Sequence, residues 1–383
     1  MELAANAGLY VHVPFCRHKC PYCSFYSFPP QPGEITLFIA ATQAQMRSTA
    51  ILPEVRALTF GSVFFGGGTP SLLPVSVLSD LLTEARGLFT FTAEEPEITV
   101  EINPGTVEAM DLAQLRRAGF NRLSIGVQSF DDVQLRLLGR IHSGAEARAI
   151  ITAARRAGFD NLSFDLMYGL PGQTVDSWQA TLDQAMALAP VHLAMYELTI
   201  EEGTPFAQAA KRGDWRLPAE DEILGMMAAI DSATMGSDLA RYEISNYGAR
   251  GRQCRHNLNY WHNGFYLGLG PGAVSCLGGE RRFAAADLST FCHRVAAGLP
   301  GWSEIERLDH EAACRETVVM GLRMTAGIEL AGIKQRFGID LSEYYGATLA
   351  RLLTQQLLAQ QNGRLFLTAK GLPLANYVMA ELV

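Results

Sequence analysis

Short apolar segments rich in β-branched residues alternate with longer segments of helical periodicity over the first 244 residues. Such alternation is typical of parallel strands joined by right-handed helical crossovers. The predicted strands are Leu9 to Val13, Ser62 to Phe65, Glu97 to Ile102, Arg122 to Val127, Asn161 to Leu166, His192 to Leu198 and Arg241 to Ile244. The predicted helices are Thr36 to Ser48, Val75 to Leu88, Val107 to Ala118, Ala145 to Ala157, Val175 to Ala187 and Ala219 to Met235. These units predict an α/β fold built on a full or partial barrel of the TIM type rather than a flat sheet.

The pattern changes after residue 300, beyond a linker predicted at Gly298 to Gly301. The segment from Ser303 onward has mainly helical periodicity. Its predicted elements are helices at His310 to Arg323, Glu329 to Phe337 and Leu341 to Gln361, a turn and strand at 363–368, and a last helix from Lys370. We therefore expect two domains: a barrel over residues 1–300, which includes an extension at 241–300, and a small, mostly helical, winged-helix-like domain over 301–383.

Composition and charge narrow the class of protein. The 383 residues are 48% hydrophobic and 18% charged, which is typical of a folded globular chain. The net charge of −8 argues against nucleic acid as a partner. No apolar run reaches the length of a membrane-spanning helix, and Met1 to Asn6 lack the basic start and apolar run of a signal peptide. We expect a cytoplasmic protein.

Three of the seven cysteines lie within eight residues, directly after the first predicted strand. Cys16, Cys20 and Cys23 have C-x3-C-x2-C spacing. Structural zinc sites and electron-transfer 4Fe–4S clusters usually have four protein ligands. Three thiolates would leave one iron of a cluster open to a substrate or cofactor. A zinc site completed by His12 or His18, or three incidental thiols, stays an alternative.

Glycines and polar residues follow the next strands. In Gly66-Gly67-Gly68-Thr69-Pro70, successive glycines allow a ligand to approach the backbone. Polar side chains at the carboxyl ends of consecutive strands should converge at one mouth of a barrel. They are Glu101, Asn103, Gln128, Ser129, Asp165, Tyr196 and Glu197. Arg140 is a candidate partner for a carboxylate.

The cysteine spacing, with Tyr22 before the last cysteine, resembles the signature of the radical S-adenosylmethionine (SAM) superfamily. This resemblance implies a radical SAM barrel of (β/α)6 type that holds a 4Fe–4S cluster on Cys16, Cys20 and Cys23 and binds SAM. It also implies that electron transfer to the sulfonium of SAM could yield a 5′-deoxyadenosyl radical. The reductant would be a one-electron carrier such as flavodoxin or ferredoxin.

A closer resemblance covers nearly the whole chain. Its motifs are Tyr10 to Cys16, Gly66 to Ser71, Gly126 to Phe130, Asp165 to Pro171 and His256 to Trp261. The chain is similar to the family of oxygen-independent coproporphyrinogen III oxidase and its heme-chaperone relative. By that likeness, Tyr10, Gly67 and Glu101 would contact SAM. The positions that hold a second SAM in the oxidase correspond to Tyr22, Gly68, Thr69, Gln128, Arg140, Asp165 and Glu197.

Two differences favour the heme-chaperone branch. Phe25 stands where the oxidase has a further cysteine, and Cys16 lies almost at the start of the chain, without the oxidase's long N-terminal extension. Ser24, where the chaperone often has an acidic residue, departs from that branch. The resemblance implies heme as cargo and heme-acceptor proteins, such as membrane respiratory enzymes, as partners.

Within that branch, His256 is the first candidate heme ligand and Cys254 the second. Tyr260 and Trp261 could stack on a porphyrin, although core packing explains them better. Three alternatives stay open: radical decarboxylation of porphyrinogen propionates, another radical reaction on a porphyrin, and DNA binding by the C-terminal domain. The many glutamates of that domain disfavour the last of these.

Overall fold

A computed structural model describes residues 6–383. Residues 1–5, which belong to the segment that argues against a signal peptide, lie outside the described residues. Six parallel strands form the barrel wall in sequential order. They are β1 (Ala7–Val13), β2 (Phe60–Gly67), β3 (Glu97–Ile102), β4 (Arg122–Gln128), β5 (Leu162–Tyr168) and β6 (His192–Glu197). Sequential neighbours are the order of a barrel, which confirms the predicted (β/α)6 architecture.

Helices cover the outer face of these strands. They are α1 (Glu34–Ala50), α2 (Pro53–Arg56), α3 (Val75–Leu88), α4 (Ala109–Ala118), α5 (Asp132–Leu137), α6 (Gly144–Arg156), α7 (Val175–Ala187), α8 (Pro205–Arg212) and α9 (Glu220–Thr234). Nearly all residues of these strands are buried because both faces of the sheet are covered. The fully buried Trp178 of α7 packs against Tyr168, and its indole N–H donates to the Met226 carbonyl of α9. Burial of each large apolar side chain contributes about 1.5–3 kcal/mol.

An extension continues the sheet at both edges. Its elements are β7 (Ala240–Arg241), β8 (Asn246–Gly248), α10 (Arg255–Trp261), β9 (Tyr266–Leu269), β10 (Val274–Leu277), β11 (Glu280–Ala284), α11 (Leu288–Ala296) and β12 (Trp302–Arg307). The single strand predicted at Arg241 to Ile244 is wrong. The chain instead turns back there, and β8 pairs antiparallel with both β6 and β7.

The last strand of the extension bears on the domain boundary. β12 pairs antiparallel with β11 and so belongs to the barrel's sheet, although helical periodicity had been predicted from Ser303. The division at residue 300 stays a prediction. We propose that the boundary lies after Arg307, where the last strand of this sheet ends.

The C-terminal domain is mostly helical with a small sheet. Its elements are α12 (His310–Leu322), β13 (Ile328–Glu329), α13 (Leu330–Phe337), α14 (Leu341–Thr354), β14 (Leu358–Gln361), β15 (Arg364–Leu367) and α15 (Ala375–Ala380). The helix predicted over Leu341 to Gln361 is wrong in its last turns. Gln356 has a φ of 59°, which ends the helical path, and β14 then pairs with β15 across Asn362 and Gly363.

The two domains meet at the C-terminus of α12. The guanidinium of Arg323 lies 4.4 Å from the centre of the Trp261 ring and 3.8 Å from the carboxylate of Glu243. The Asn263 amide donates to Thr317 at 3.0 Å. The C-terminal domain therefore packs directly against α10, the helix that carries the His256 to Trp261 motif.

No helix within residues 6–383 is both long and apolar enough to cross a bilayer.

Candidate functional site

The three clustered cysteines occupy the loop that follows β1. This loop is tied to the strand ends, because Cys16 N donates to the Phe28 carbonyl and Phe28 N donates to the Pro14 carbonyl. All three thiols face one cavity of 380 Å³. Burial and the neighbouring thiols raise the pKa of Cys23. The sequence prediction that these thiols form one group is consistent with this arrangement.

The glycine loop after β2 packs directly against the cysteine loop. Gly68 N donates to the Val13 carbonyl and Thr69 N to the Phe15 carbonyl. A Cβ at Gly68 would lie 2.6 Å from the Phe15 oxygen, so only glycine allows this approach. The hydroxyl of Thr69 lies 3.5 Å from the Cys16 sulfur. The two loops therefore form one wall of the cavity.

Two carboxyl groups lie at the floor of the cavity. Glu101 accepts a hydrogen bond from Gly67 N at 3.2 Å, and Asp165 accepts bonds from the hydroxyls of Ser124 and Ser163 at 3.0 Å. Burial, with the nearby Asp165 charge, raises the pKa of Glu101 to about 8. Burial likewise raises the pKa of Asp165 to about 6. Both groups are thus poised to change protonation when a charged ligand arrives.

Arg140 supplies the positive charge opposite these acids. Its guanidinium donates to the Asn103 side chain at 2.6 Å and to the Gly126 carbonyl at 2.7 Å, and it lies 3.9 Å from the Cys20 sulfur. The buried Nε atom of Arg140 has no partner among the described residues. An unpartnered buried donor beside two carboxyl groups suits a zwitterionic ligand with its own acceptor oxygens.

We call this first cavity the mouth cavity. It collects most of the residues predicted as a site. Its lining includes Cys16, Cys20, Tyr22, Cys23, Gly67, Gly68, Thr69, Glu101, Gln128, Arg140 and Asp165.

Three predicted site residues are placed elsewhere. Ser129 is fully buried, and its hydroxyl accepts a hydrogen bond from Asp131 N at 3.0 Å. Tyr10 lines a second cavity below the first, and its hydroxyl is paired with His12 Nδ1 at 3.0 Å. Glu197 follows Tyr196 on β6, and adjacent side chains of a strand point to opposite faces. Because Tyr196 faces the mouth cavity, Glu197 is exposed on the other side.

The second cavity, which we call the inner cavity, has a volume of 180 Å³ and lies between the strands and α10. His256 lines it and is 1% exposed. Its Nδ1 pairs with the Ser62 hydroxyl and its Nε2 with the Tyr260 hydroxyl, both at 2.9 Å. The ring stacks on Phe64, and burial lowers the pKa of His256 to about 3.

These contacts make His256 a structural histidine in this conformation, with no nitrogen left to bind iron. The second candidate heme ligand, Cys254, is fully buried, with its sulfur 3.5 Å from a Glu97 oxygen. Burial raises the pKa of Cys254 to about 12, so it is a thiol. The geometry supports neither residue as a heme ligand without movement of α10.

The donor set fits a multi-iron cluster better than the zinc alternative. Both ring nitrogens of His12 are engaged, one with Tyr10 and the other with the Tyr26 carbonyl at 2.9 Å, so this histidine offers no free ligand. His18 lines the mouth cavity. Within residues 6–383, no three His, Cys, Asp or Glu side chains stand close enough to share one metal ion. A cluster does not need that spacing, because each thiolate binds a different iron.

Three further polar residues orient the charged side chains of the mouth cavity. Ser124 and Ser163 orient Asp165, and Asn103 links Arg140 to Thr69. Asn103 was predicted at the mouth, and it follows Glu101 by two positions, so strand alternation puts both on the same side. Nothing in the sequence marked either serine.

The comparisons with known proteins agree with this geometry. The family model for the radical SAM superfamily matches residues 10–185, and the model for the HemN C-terminal domain matches residues 308–374. The fold, the cysteine loop and the glycine loop thus define the radical SAM class of protein.

Curated relatives narrow the class. "Heme chaperone HemW" from Bacillus subtilis (strain 168) is 31% identical over 96% of this chain and 97% of its own length. The HemW of Escherichia coli (strain K12) is 39% identical over 70% of this chain and 69% of its own length. The chain belongs to the HemW family of radical SAM proteins, and this family implies a 4Fe–4S cluster and SAM.

A solved structure extends the likeness. Coproporphyrinogen III oxidase (HemN) from Escherichia coli, a radical SAM enzyme, has a TM-score of 0.84 and 25% sequence identity. The match covers 98% of this chain and 90% of that one. The oxidase is thus a relative with the same two-domain fold.

Proposed function

We propose that this protein is a radical SAM heme chaperone that binds a 4Fe–4S cluster, SAM and heme, and transfers heme to acceptor proteins. The observation that carries the proposal is the extent of the likeness: relatives named heme chaperone match 96–98% of this chain in several organisms. The acceptors would include membrane respiratory enzymes, and a flavodoxin or ferredoxin would supply the electron.

Cys16, Cys20 and Cys23 would hold the cluster at the mouth cavity, beside the glycine loop. When bound, the cluster supplies an electron for SAM chemistry. Glu101, which accepts from Gly67 N, would also accept from the ammonium group of SAM, and Arg140 Nε would donate to an acceptor oxygen. Tyr22, Gly68, Thr69, Gln128 and Asp165 line the same space. Tyr10 and Glu197 would act from outside it.

Phe25 supports the chaperone over the oxidase. It stands two residues after Cys23, where the oxidase has a further cysteine, and its side chain is 67% exposed at the rim of the mouth cavity. A thiol at this position could take part in radical chemistry, whereas a phenyl ring offers contact area.

The test is anaerobic reconstitution of the cluster followed by titration with heme. We expect stoichiometric heme binding, seen as a shift of the Soret band, and transfer of heme to an apo-acceptor. The structure predicts that His256→Ala lowers stability, so its heme binding must be compared at matched folded fraction. Wild-type protein that does not bind heme would overturn the proposal.

Oxidative decarboxylation of coproporphyrinogen is the second candidate, and the likeness to the oxidase favours it. The two buried carboxyl groups below the thiols suit a site that excludes water from radical chemistry. Formation of vinyl products from coproporphyrinogen III, with SAM and reductant present, would support this function instead of the chaperone.

A further inference from the structure

The cysteine loop carries a positive charge that the rest of the chain does not share. Although the net charge is −8, no Asp or Glu occurs between Glu2 and Glu34. Arg17, His18 and Lys19, which we call the basic loop, lie between the first two cysteines, and all three are exposed. Positive charge is therefore concentrated at the cysteine loop, although the chain as a whole is negative.

The charges of the basic loop are not neutralised locally. Arg17 donates to the Gly105 carbonyl at 3.3 Å and Lys19 to the Phe25 carbonyl at 2.9 Å. Neither side chain forms an ion pair with any residue in the range 6–383. Some exposed cations elsewhere do form ion pairs, as in Arg212 with Asp214 and Lys334 with Asp340.

Apolar side chains flank the basic loop on two sides. Phe25 is 67% exposed and Ile141 is 47% exposed. A small recess next to Cys20 joins Arg17 and His18 to Arg140 and Ile141, and none of its lining residues is acidic. Exposed apolar residues next to charges of one sign are typical of a transient protein-binding surface.

We propose that the basic loop, with Phe25 and Ile141, is the docking surface for a small one-electron carrier protein with an acidic face. This inference rests on the proposed function, because it requires the 4Fe–4S cluster that the function includes. In the docked complex the carrier loses one electron and the cluster gains it, and no bond is made or broken. The basic loop is suited to this role because it runs between two of the cluster ligands, so a protein bound there lies next to the electron acceptor.

Charge complementarity makes the docking sensitive to salt. Electrostatic steering raises association rates by about 10- to 1,000-fold and is screened over about 10 Å at 0.1 M salt. The main variant is the double charge reversal Arg17→Glu with Lys19→Glu. Lys370→Glu is the matched control, because Lys370 is also exposed and donates to a backbone carbonyl, at 3.0 Å. Ile141→Asp tests the surface from outside the cysteine loop.

The experiment measures the rate at which reduced flavodoxin reduces the reconstituted cluster, at low and high salt. We expect the double variant to be at least about tenfold slower at low salt, with the difference shrinking at high salt. Ile141→Asp should also be slower, and Lys370→Glu should stay within about twofold of wild type. Photoreduced 5-deazariboflavin, which has no net charge, should reduce all proteins equally, which shows that the cluster is intact. Calorimetry with oxidised flavodoxin gives the affinity independently of electron transfer.

Two results would overturn the inference. One is reduction of the double variant by flavodoxin at the wild-type rate. The other is a double variant that no longer binds heme although flavodoxin still reduces its cluster. That result would make the basic loop a site for heme propionates. Failure of the proposed function is distinct, since it shows as absence of heme binding by wild-type protein.

Discussion

The mouth cavity and the inner cavity are built from the same strands but differ in how their polar groups are satisfied. In the mouth cavity, three thiols line open space, and the buried Nε of Arg140 has no partner among the described residues. In the inner cavity, His256 is held at both nitrogens by Ser62 and Tyr260. Groups left unpaired at a cavity are available to a ligand, whereas paired groups stabilise the fold. The mouth cavity therefore has the polar groups of a binding site, whereas the inner cavity has those of a satisfied core.

The largest effect should come from the thiols of the mouth cavity. Cys16→Ser removes one of the three proposed cluster ligands, so we expect loss of the 4Fe–4S absorbance and of bound iron after reconstitution. Cys276→Ser, a half-buried cysteine on β10, should bind iron like wild type. A Cys16→Ser protein with a full complement of iron would remove the basis for the mouth cavity as the cluster site.

Substitution in the inner cavity should lower the free energy of unfolding. His256→Ala deletes two hydrogen bonds and the contact with Phe64, and it leaves a cavity. We expect a loss of about 2–4 kcal/mol in the free energy of unfolding, measured by urea denaturation. Heme or cluster content per folded molecule should change little. A stable His256→Ala protein that fails to bind heme would revive His256 as a ligand and break the comparison.

A more local change tests the positioning of Arg140. A Cβ at Gly126 would lie 2.6 Å from the Asn103 side-chain oxygen and 3.1 Å from the guanidinium of Arg140. Gly126→Ala should therefore displace Arg140 and weaken SAM binding by about tenfold, measured by calorimetry, since one distorted charged hydrogen bond is worth about 1.5 kcal/mol or more. Gly87→Ala, where a Cβ meets nothing within 4 Å, is the control and should bind SAM normally.

A pH dependence of stability should come from Glu101. Its pKa in the folded protein is about 8, above its ordinary value of 4.5, so the folded state retains a proton that the unfolded chain loses between these values. Stability from this group is present below pH 4.5 and is lost as the pH rises toward 8. One proton corresponds to at most about 1.4 kcal/mol per pH unit. Glu101→Gln should flatten the stability profile between pH 5 and 8, while Glu343→Gln, at an exposed position, should not.

The hairpin of β14 and β15 has a clear local signal in the sequence. Asn362 and Gly363 both have positive φ, as in the two-residue turn that Asn-Gly favours between antiparallel strands. Recognition of that pair would have split the helix predicted over Leu341 to Gln361 into a helix and a hairpin. Helical periodicity misled because Leu357 and Leu358 continue the apolar spacing of α14.

The sequence by itself determined the strand–helix alternation, the thiol triad and the glycine loop, because each depends on residues close together in the chain. It could not determine that Tyr196 rather than Glu197 faces the mouth cavity, since both neighbours are polar and only the strand register selects one. It also could not show that Ser62 and Tyr260 occupy both nitrogens of His256. The contact with Ser62 joins residues 194 positions apart, and only tertiary packing decides whether a buried histidine is satisfied by the protein or left for a ligand.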